Sequence, residues 1–192
     1  MRQIILGSSS PFRRELLRKL IADFETCSPD IDETPAPGER PEQLVARLAR
    51  QKAEAVAARY PEALIIASDQ VSVLHGQING KPGSMEPAIQ QLKASSGNTV
   101  TFFTSLCLYD ATTGQGQSVV EPFHVHFREL NEDEIRRYLE KETPFNCAGS
   151  FKSEGLGITL FKKLEGDDPN ALIGLPLIKL AEMLRQQGIQ IP

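Results

Sequence analysis

The sequence predicts an α/β fold in which a mixed central sheet is flanked by helices. Two observations carry that expectation. Short apolar, strand-like runs alternate with amphipathic helical stretches along the chain. In the middle, two strand-like runs follow one another across a turn, as in a hairpin, so the sheet cannot be wholly parallel.

The elements follow in order. Ile4-Ile5-Leu6 reads as a buried strand, broken by Gly7-Ser8-Ser9-Ser10-Pro11. Phe12 to Leu20 then reads as a helix with Leu16, Leu17 and Leu20 on one face. The stretch from Asp30 to Pro41 is rich in proline and acid and reads as a loop. A long amphipathic helix is expected from about Pro41 to Tyr60. Ala63 to Ser68 is a second apolar strand, running into Asp69 and the alternating Val71-Ser72-Val73. His75-Gly76-Gln77 and Lys81-Pro82-Gly83 are breaks. A helix is expected over Glu86 to Ala94. The runs Val100 to Tyr109 and Val119 to Phe127 are strands separated by the turn signal Thr112-Thr113-Gly114. Asn131 and Glu134 have capping-box spacing for a helix to Lys141. Glycines punctuate Ala148 to Leu160, Gly166 to Asn170 is a loop, and Pro176 to Gln187 closes the chain as a helix stopped by Gly188.

The chain has 192 residues, 40% hydrophobic and 24% charged, which suits a soluble globular protein. No repeat, linker or low-complexity tract divides it, so a single domain over residues 1–192 is expected. The net charge of -4 argues against a nucleic-acid polymer as partner, because neutralising a phosphate backbone needs a basic surface. The three cysteines, Cys27, Cys107 and Cys147, show neither disulfide nor zinc spacing and fit a reducing compartment. The N-terminal apolar run is too short for a secretory signal, and no stretch is long enough for a membrane span.

Several charged residues stand where composition alone does not explain them. The first strand–loop–helix unit suits an anion, because backbone N–H groups and the helix dipole meet there, although on this unit alone the plainer reading is a common connection with Ser10 as helix cap. Arg13 falls on the face of Leu17 and Leu20, and Arg14 points away. An inward cation in a first helical turn opposes the dipole and needs a partner, which a phosphate supplies, or it snorkels to water. Lys52 lies on the stripe of Val45, Leu48 and Val56, and buried lysines are rare unless paired. Arg59 on the same face is expected to snorkel. Glu33 sits in the acidic loop Asp30-Ile31-Asp32-Glu33. Asp69 directly follows an apolar run, so it is expected where a buried strand reaches the edge of the core, the place where α/β sheets gather ligands. Lys81 reads as surface. His124 and His126 share a strand face without a third ligand, and Asp167 and Asp168 are expected to serve a turn. As a set, two carboxylates suit magnesium beside substrate phosphates, three cations suit a triphosphate, and a carboxylate near an activated water suits a general base.

These residues resemble the Maf family of nucleotide pyrophosphatases. The matching stretches are Ser8-Ser9-Ser10-Pro11-Phe12-Arg13, Asp32-Glu33-Thr34, Gln51-Lys52-Ala53, Ser68-Asp69-Gln70, Gly80-Lys81-Pro82, Ala148-Gly149-Ser150-Phe151 and Asn170 to Pro176. The resemblance implies two lobes around a cleft, as in inosine triphosphate pyrophosphatases. It also implies a divalent cofactor (magnesium or manganese), a nucleoside triphosphate substrate, a cytoplasmic location and, often, a homodimer. Its functional positions carry over to Ser8 and Arg13 as phosphate binders and to Glu33, Lys52, Asp69 and Lys81 as catalytic residues. The resemblance also implies Glu33 and Asp69 as the metal ligands and Asp69 as the base.

Three positions depart from the commoner pattern. Phe12 stands where many members have arginine, Gln70 where many have threonine, and Glu154 where many have glutamine. These substitutions resemble the branch that acts on 7-methyl-GTP, clearing a modified nucleotide. The chemistry agrees. Methylation at N7 makes guanine cationic, Phe12 offers a stacking face, and Glu154 can accept from the guanine edge while offsetting the charge. The alternatives are hydrolysis of UTP, CTP or dTTP, and a nucleotide-binding regulator of cell division that does not turn over.

Overall fold

A computed structural model describes residues 2–192. The chain divides into two compact units. The first comprises residues 1–69, 104–121 and 168–192, and the second 70–103 and 122–167. The strands are β1 (Ile4–Leu6), β2 (Glu25–Thr26), β3 (Leu64–Leu74), β4 (Gln77–Asn79), β5 (Thr99–Asp110), β6 (Gln115–Phe127) and β7 (Phe161–Glu165). They hydrogen-bond in the order β2-β1-β3-β5-β6-β7, with β4 paired to β3. The β1/β2 and β1/β3 pairs are parallel, and β3/β4 and β6/β7 are antiparallel, so the sheet is mixed as expected.

In the first unit, alternation along the strands sorts side chains to two faces. Ile4, Leu6, Leu64, Ile66, Leu106 and Leu108 pack with Leu16 and Leu17 of α1 (Pro11–Leu17) and with Leu180 and Leu184 of α6 (Leu177–Gln186). Ile5, Ile65, Ala67 and Cys107 face the other way, against Ala49, Ala53 and Val56 of α2 (Pro41–Ala57). The small alanines of α2 let the helix lie close to the sheet. α5 (Pro169–Ile173) and α6 close the unit.

The second unit holds α3 (Met85–Ser95), α4 (Glu132–Glu142) and the two short 3-10 turns Ala148–Ser150 and Leu156–Leu160. Its core includes four edge-to-face phenylalanine contacts. Phe151 meets Phe102, Phe127 and Phe161 at centroid distances of 5.4, 5.6 and 4.8 Å, and Phe127 meets Phe161 at 5.2 Å. Such pairs add about 0.5–1.5 kcal/mol each beyond area burial. The capping box of α4 forms as expected: Glu134 N donates to Asn131 Oδ1 at 2.9 Å, and Asn131 N to Glu134 Oε2 at 3.0 Å.

The structure corrects several boundaries. α1 ends at Leu17, three residues early, and α2 ends at Ala57. β3 is a single 11-residue strand rather than an apolar strand ending near Ser68. Asp69 therefore sits within a strand, at the last residue of the first unit, and not at a strand end. β2, β4, β7 and α5 are additions, and Gln77, expected in a break, opens β4. β2 has two exposed residues, and β7 is an exposed run containing Lys162 and Lys163, so neither carries an apolar period.

Candidate functional site

Three candidate residues of the first unit, Glu33, Lys52 and Asp69, form one ion cluster. Lys52 projects from the apolar face of α2 and is 7% exposed. Its Nζ donates to Asp69 Oδ1 at 2.6 Å and lies 3.0 Å from Glu33 Oε1. The anomaly in the sequence, a lysine within an apolar stripe, is resolved by pairing, as buried charge requires. Asp69 is fixed through its backbone as well: its N–H donates to Ser105 Oγ at 3.0 Å, and Ser105 Oγ donates to Asp69 O at 3.2 Å. Glu33 differs from both. Its side chain remains 58% exposed, so one carboxylate of the cluster is fixed in the core and the other opens to solvent.

Arg13 completes this group. Its Nε donates to Gly174 O at 2.8 Å. Burial pushes the guanidinium pKa down from its ordinary value, and the charges of Asp69 and Glu33 oppose that shift. An arginine is still a permanent cation. Anchored through Nε, it presents its terminal nitrogens as the fork that suits phosphate oxygens. Gly174 O also accepts from Ser68 Oγ at 2.9 Å, so one carbonyl ties Arg13 to the residue preceding Asp69. Gly174 holds φ of 139°, a conformation that side chains rarely adopt. Asp168, fully buried, supports the approach to that carbonyl. Its Oδ1 accepts from Asn170 N and Nδ2, and its Oδ2 from Ile178 N, each at 2.8 Å. Asp168 thus serves its turn, as the sequence suggests.

The serine loop departs in part from expectation. Ser8 is buried, and its Oγ accepts from Ser10 N at 3.1 Å. Arg13 N donates to Ser10 Oγ at 3.4 Å in a helix cap. Two amides expected to face an anion are already engaged. Phe12 is half-buried on α1.

Gln70, Lys81 and Glu154 belong to the second unit. Gln70 is half-buried, while Lys81 and Glu154 are exposed. Burial raises the Cys147 thiol pKa, and the charges of Lys152, Glu154, Lys81 and Glu142 all act on it. His124 and His126 bond Thr101 and Thr99 at 2.9 Å each, and His126 pairs with Glu165. Among the described residues, no group of three or more His, Cys, Asp or Glu is placed to hold a metal ion. Arg59, exposed as expected, rests its Nη1 3.1 Å from Cys27 Sγ. A cavity of about 420 Å³ beside α2 is lined by Ile31, Asp32, Thr34, Arg47, Gln51 and Glu54, none of them a candidate residue.

The roles of Ser68, Ser105 and Gly174 were not read from the sequence. Ser68 and Gly174 lie inside the matched stretches, and Ser105 carried no signal, because its bonds reach a residue 36 positions away.

A model of the family described as Maf-like protein matches residues 3–187. The chain belongs to the Maf family. A curated relative, the 7-methyl-GTP pyrophosphatase of Nitrosococcus oceani, is 58% identical over 188 residues, covering 98% of this chain and 94% of that one. Among solved structures, the Staphylococcus aureus Ham1 protein superposes with a TM-score of 0.56 at 15% identity, covering 97% of this Maf chain and 100% of its own. At that identity the likeness concerns the fold, and it agrees with the expected inosine triphosphate pyrophosphatase-like architecture. No helix among the described residues is long and apolar enough to cross a membrane.

Proposed function

We propose that this protein hydrolyses 7-methyl-GTP to 7-methyl-GMP and pyrophosphate. The observation that carries the chemistry is the Lys52 ammonium held between the carboxylates of Asp69 and Glu33, with Arg13 in electrostatic reach of both. The 58% identical relative supports the choice of nucleotide.

A divalent cation fits the donor set. Two hard carboxylate oxygens, one on a fixed residue and one open to solvent, suit magnesium or manganese, which takes few protein ligands beside substrate phosphates. Glu33 and Asp69 would hold it, and when bound it would polarise the phosphate oxygens and lower the pKa of a water. Arg13 holds phosphate oxygens, with Ser8 shaping the loop beneath, and the family resemblance assigns Lys81 to catalysis. Lys52 orients the Asp69 carboxylate. Asp69 takes the proton of the attacking water, the water oxygen bonds to the α-phosphorus, and the bond to the bridging oxygen breaks to release pyrophosphate. Phe12 stacks on the cationic ring, Glu154 accepts from the guanine edge, and Gln70 lies next to the base Asp69. The family resemblance also supports a house-cleaning role in the cytoplasm and a homodimer.

The test is turnover of a nucleotide panel with and without a chelator. The expected result is a preference for 7-methyl-GTP, abolished by the chelator and restored by magnesium or manganese. A preference for UTP, CTP or dTTP overturns the specificity. No turnover of any nucleotide overturns catalysis and favours the regulator.

A further inference from the structure

Glu154 is exposed and flanked by glycine, yet the stretch around it is pinned at both ends by one face of α4. Tyr138 and Glu142 lie four residues apart, so they project from the same side of the helix. Tyr138 Oη accepts from Lys152 N at 3.0 Å, and Glu142 Oε2 accepts from Leu156 N at 2.9 Å. Glu154 stands midway between the two anchored amides. Inside the segment, Gly155 N and Gly157 N both donate to Lys152 O, at 3.3 and 3.0 Å. The glycine at 155 has a steric cause: a Cβ there would lie 2.5 Å from Glu142 Oε1. Any side chain at 155 would displace the carboxylate. The second anchor is a charged acceptor on a backbone amide, the stronger class of hydrogen bond. Its partner tyrosine is buried, and burial raises its pKa, so the phenol keeps its proton.

We propose that Glu142, with Tyr138, is a positioning residue for nucleobase selection, holding the Lys152–Leu156 segment so that Glu154 presents its carboxylate to the guanine edge. This rests on the reading of Glu154 given above. Neither residue touches the substrate. They act by removing the freedom of a glycine-rich loop, whose ordering would otherwise be charged against binding.

The experiment measures kcat and KM for 7-methyl-GTP and for UTP in Glu142→Ala, Glu142→Gln, Gly155→Ala and Glu154→Gln, with thermal unfolding recorded for each. Glu142→Ala should lower the 7-methyl-GTP to UTP efficiency ratio about three- to tenfold, the scale of one lost hydrogen bond, through KM for the methylated nucleotide rather than through kcat. Glu142→Gln retains an amide oxygen for Leu156 N and should restore most of the ratio, and Gly155→Ala should behave like Glu142→Ala. If Glu154→Gln lowers the ratio while Glu142→Ala leaves it intact, or if Glu142→Gln fails to rescue, the positioning role is overturned. If Glu154→Gln itself leaves the ratio unchanged, the base-reading assignment fails first. A variant that merely loses fold would lower efficiency for both nucleotides equally and shift the unfolding curve, which also counts against the proposal.

Discussion

The two units treat their charged residues in opposite ways. In the first, Lys52 and Asp69 are buried, paired, and braced by bonds to backbone and neighbours, down to the serine that holds the Asp69 amide. In the second, Glu154 is exposed, and order comes from beneath, where Tyr138 and Glu142 grip its loop. The difference matches two chemical demands. Groups that handle the phosphates and the attacking water need fixed geometry and strong fields, which burial supplies. Groups that select a base need only discriminate, and a loop on a scaffold can be altered without disturbing the reaction. Substitutions at Arg13, Lys52 and Asp69 should therefore lower turnover of all nucleotides alike, and those at Phe12 and around Glu154 should change the ranking among them.

The largest expected effect tests the first half of that contrast. Asp69→Asn preserves size and removes the base, and such a loss typically lowers kcat by about 100- to 10,000-fold. The fall should be the same for 7-methyl-GTP and UTP, with the thermal unfolding curve largely retained. Normal activity would remove Asp69 from the chemistry. Lys52 is a poorer probe: without its ammonium both Asp69 and Glu33 lose their shared cation, whereas Asp69→Asn leaves Lys52 an amide oxygen and the Glu33 carboxylate.

The next effect tests the second half. Phe12→Arg with Glu154→Gln replaces a stacking face by a cation and removes a charged acceptor. One charge-assisted hydrogen bond is worth about 1.5–3 kcal/mol, so the efficiency ratio of 7-methyl-GTP to UTP should fall about tenfold or more. Equal losses for both would place these residues in general structure.

The smallest effect concerns stability alone. Arg2 bonds Asp110 at the end of β5 and holds its carboxyl pKa down to about 2. The folded value is below the ordinary one of about 3.9, so the pair stabilises the fold fully above that pH and is lost as pH falls through about 2. Acid titration of stability should be steeper in the parent than in Asp110→Asn between about pH 4 and 2. Coincident curves would show that this pair contributes nothing.

Much of the first unit was legible in the sequence because its signals conflict with their surroundings. Lys52 breaks an apolar stripe, Arg13 turns toward leucines, and Asp69 ends an apolar run. Each conflict marks a charge that needs a partner. What the sequence did not carry was the partners themselves. The carbonyl of Gly174 receives Arg13 across 161 positions, and no local period encodes such a contact. Asp69 was expected at a strand end because the apolar run stops there, yet β3 continues through Val71 to Leu74 with a looser alternation. Glu154 offered no conflict, since an acid beside a glycine reads as an ordinary loop. Only the resemblance singled it out, and only the structure reveals the grip of α4 behind it.

Water is expected to attack the α-phosphorus of 7-methyl-GTP. Hydrolysis in water enriched in oxygen-18, followed by mass spectrometry of both products, tests it most directly. Attack at the α-phosphorus should leave one labelled oxygen in 7-methyl-GMP and unlabelled pyrophosphate. Label in pyrophosphate, or release of orthophosphate with 7-methyl-GDP, would contradict it.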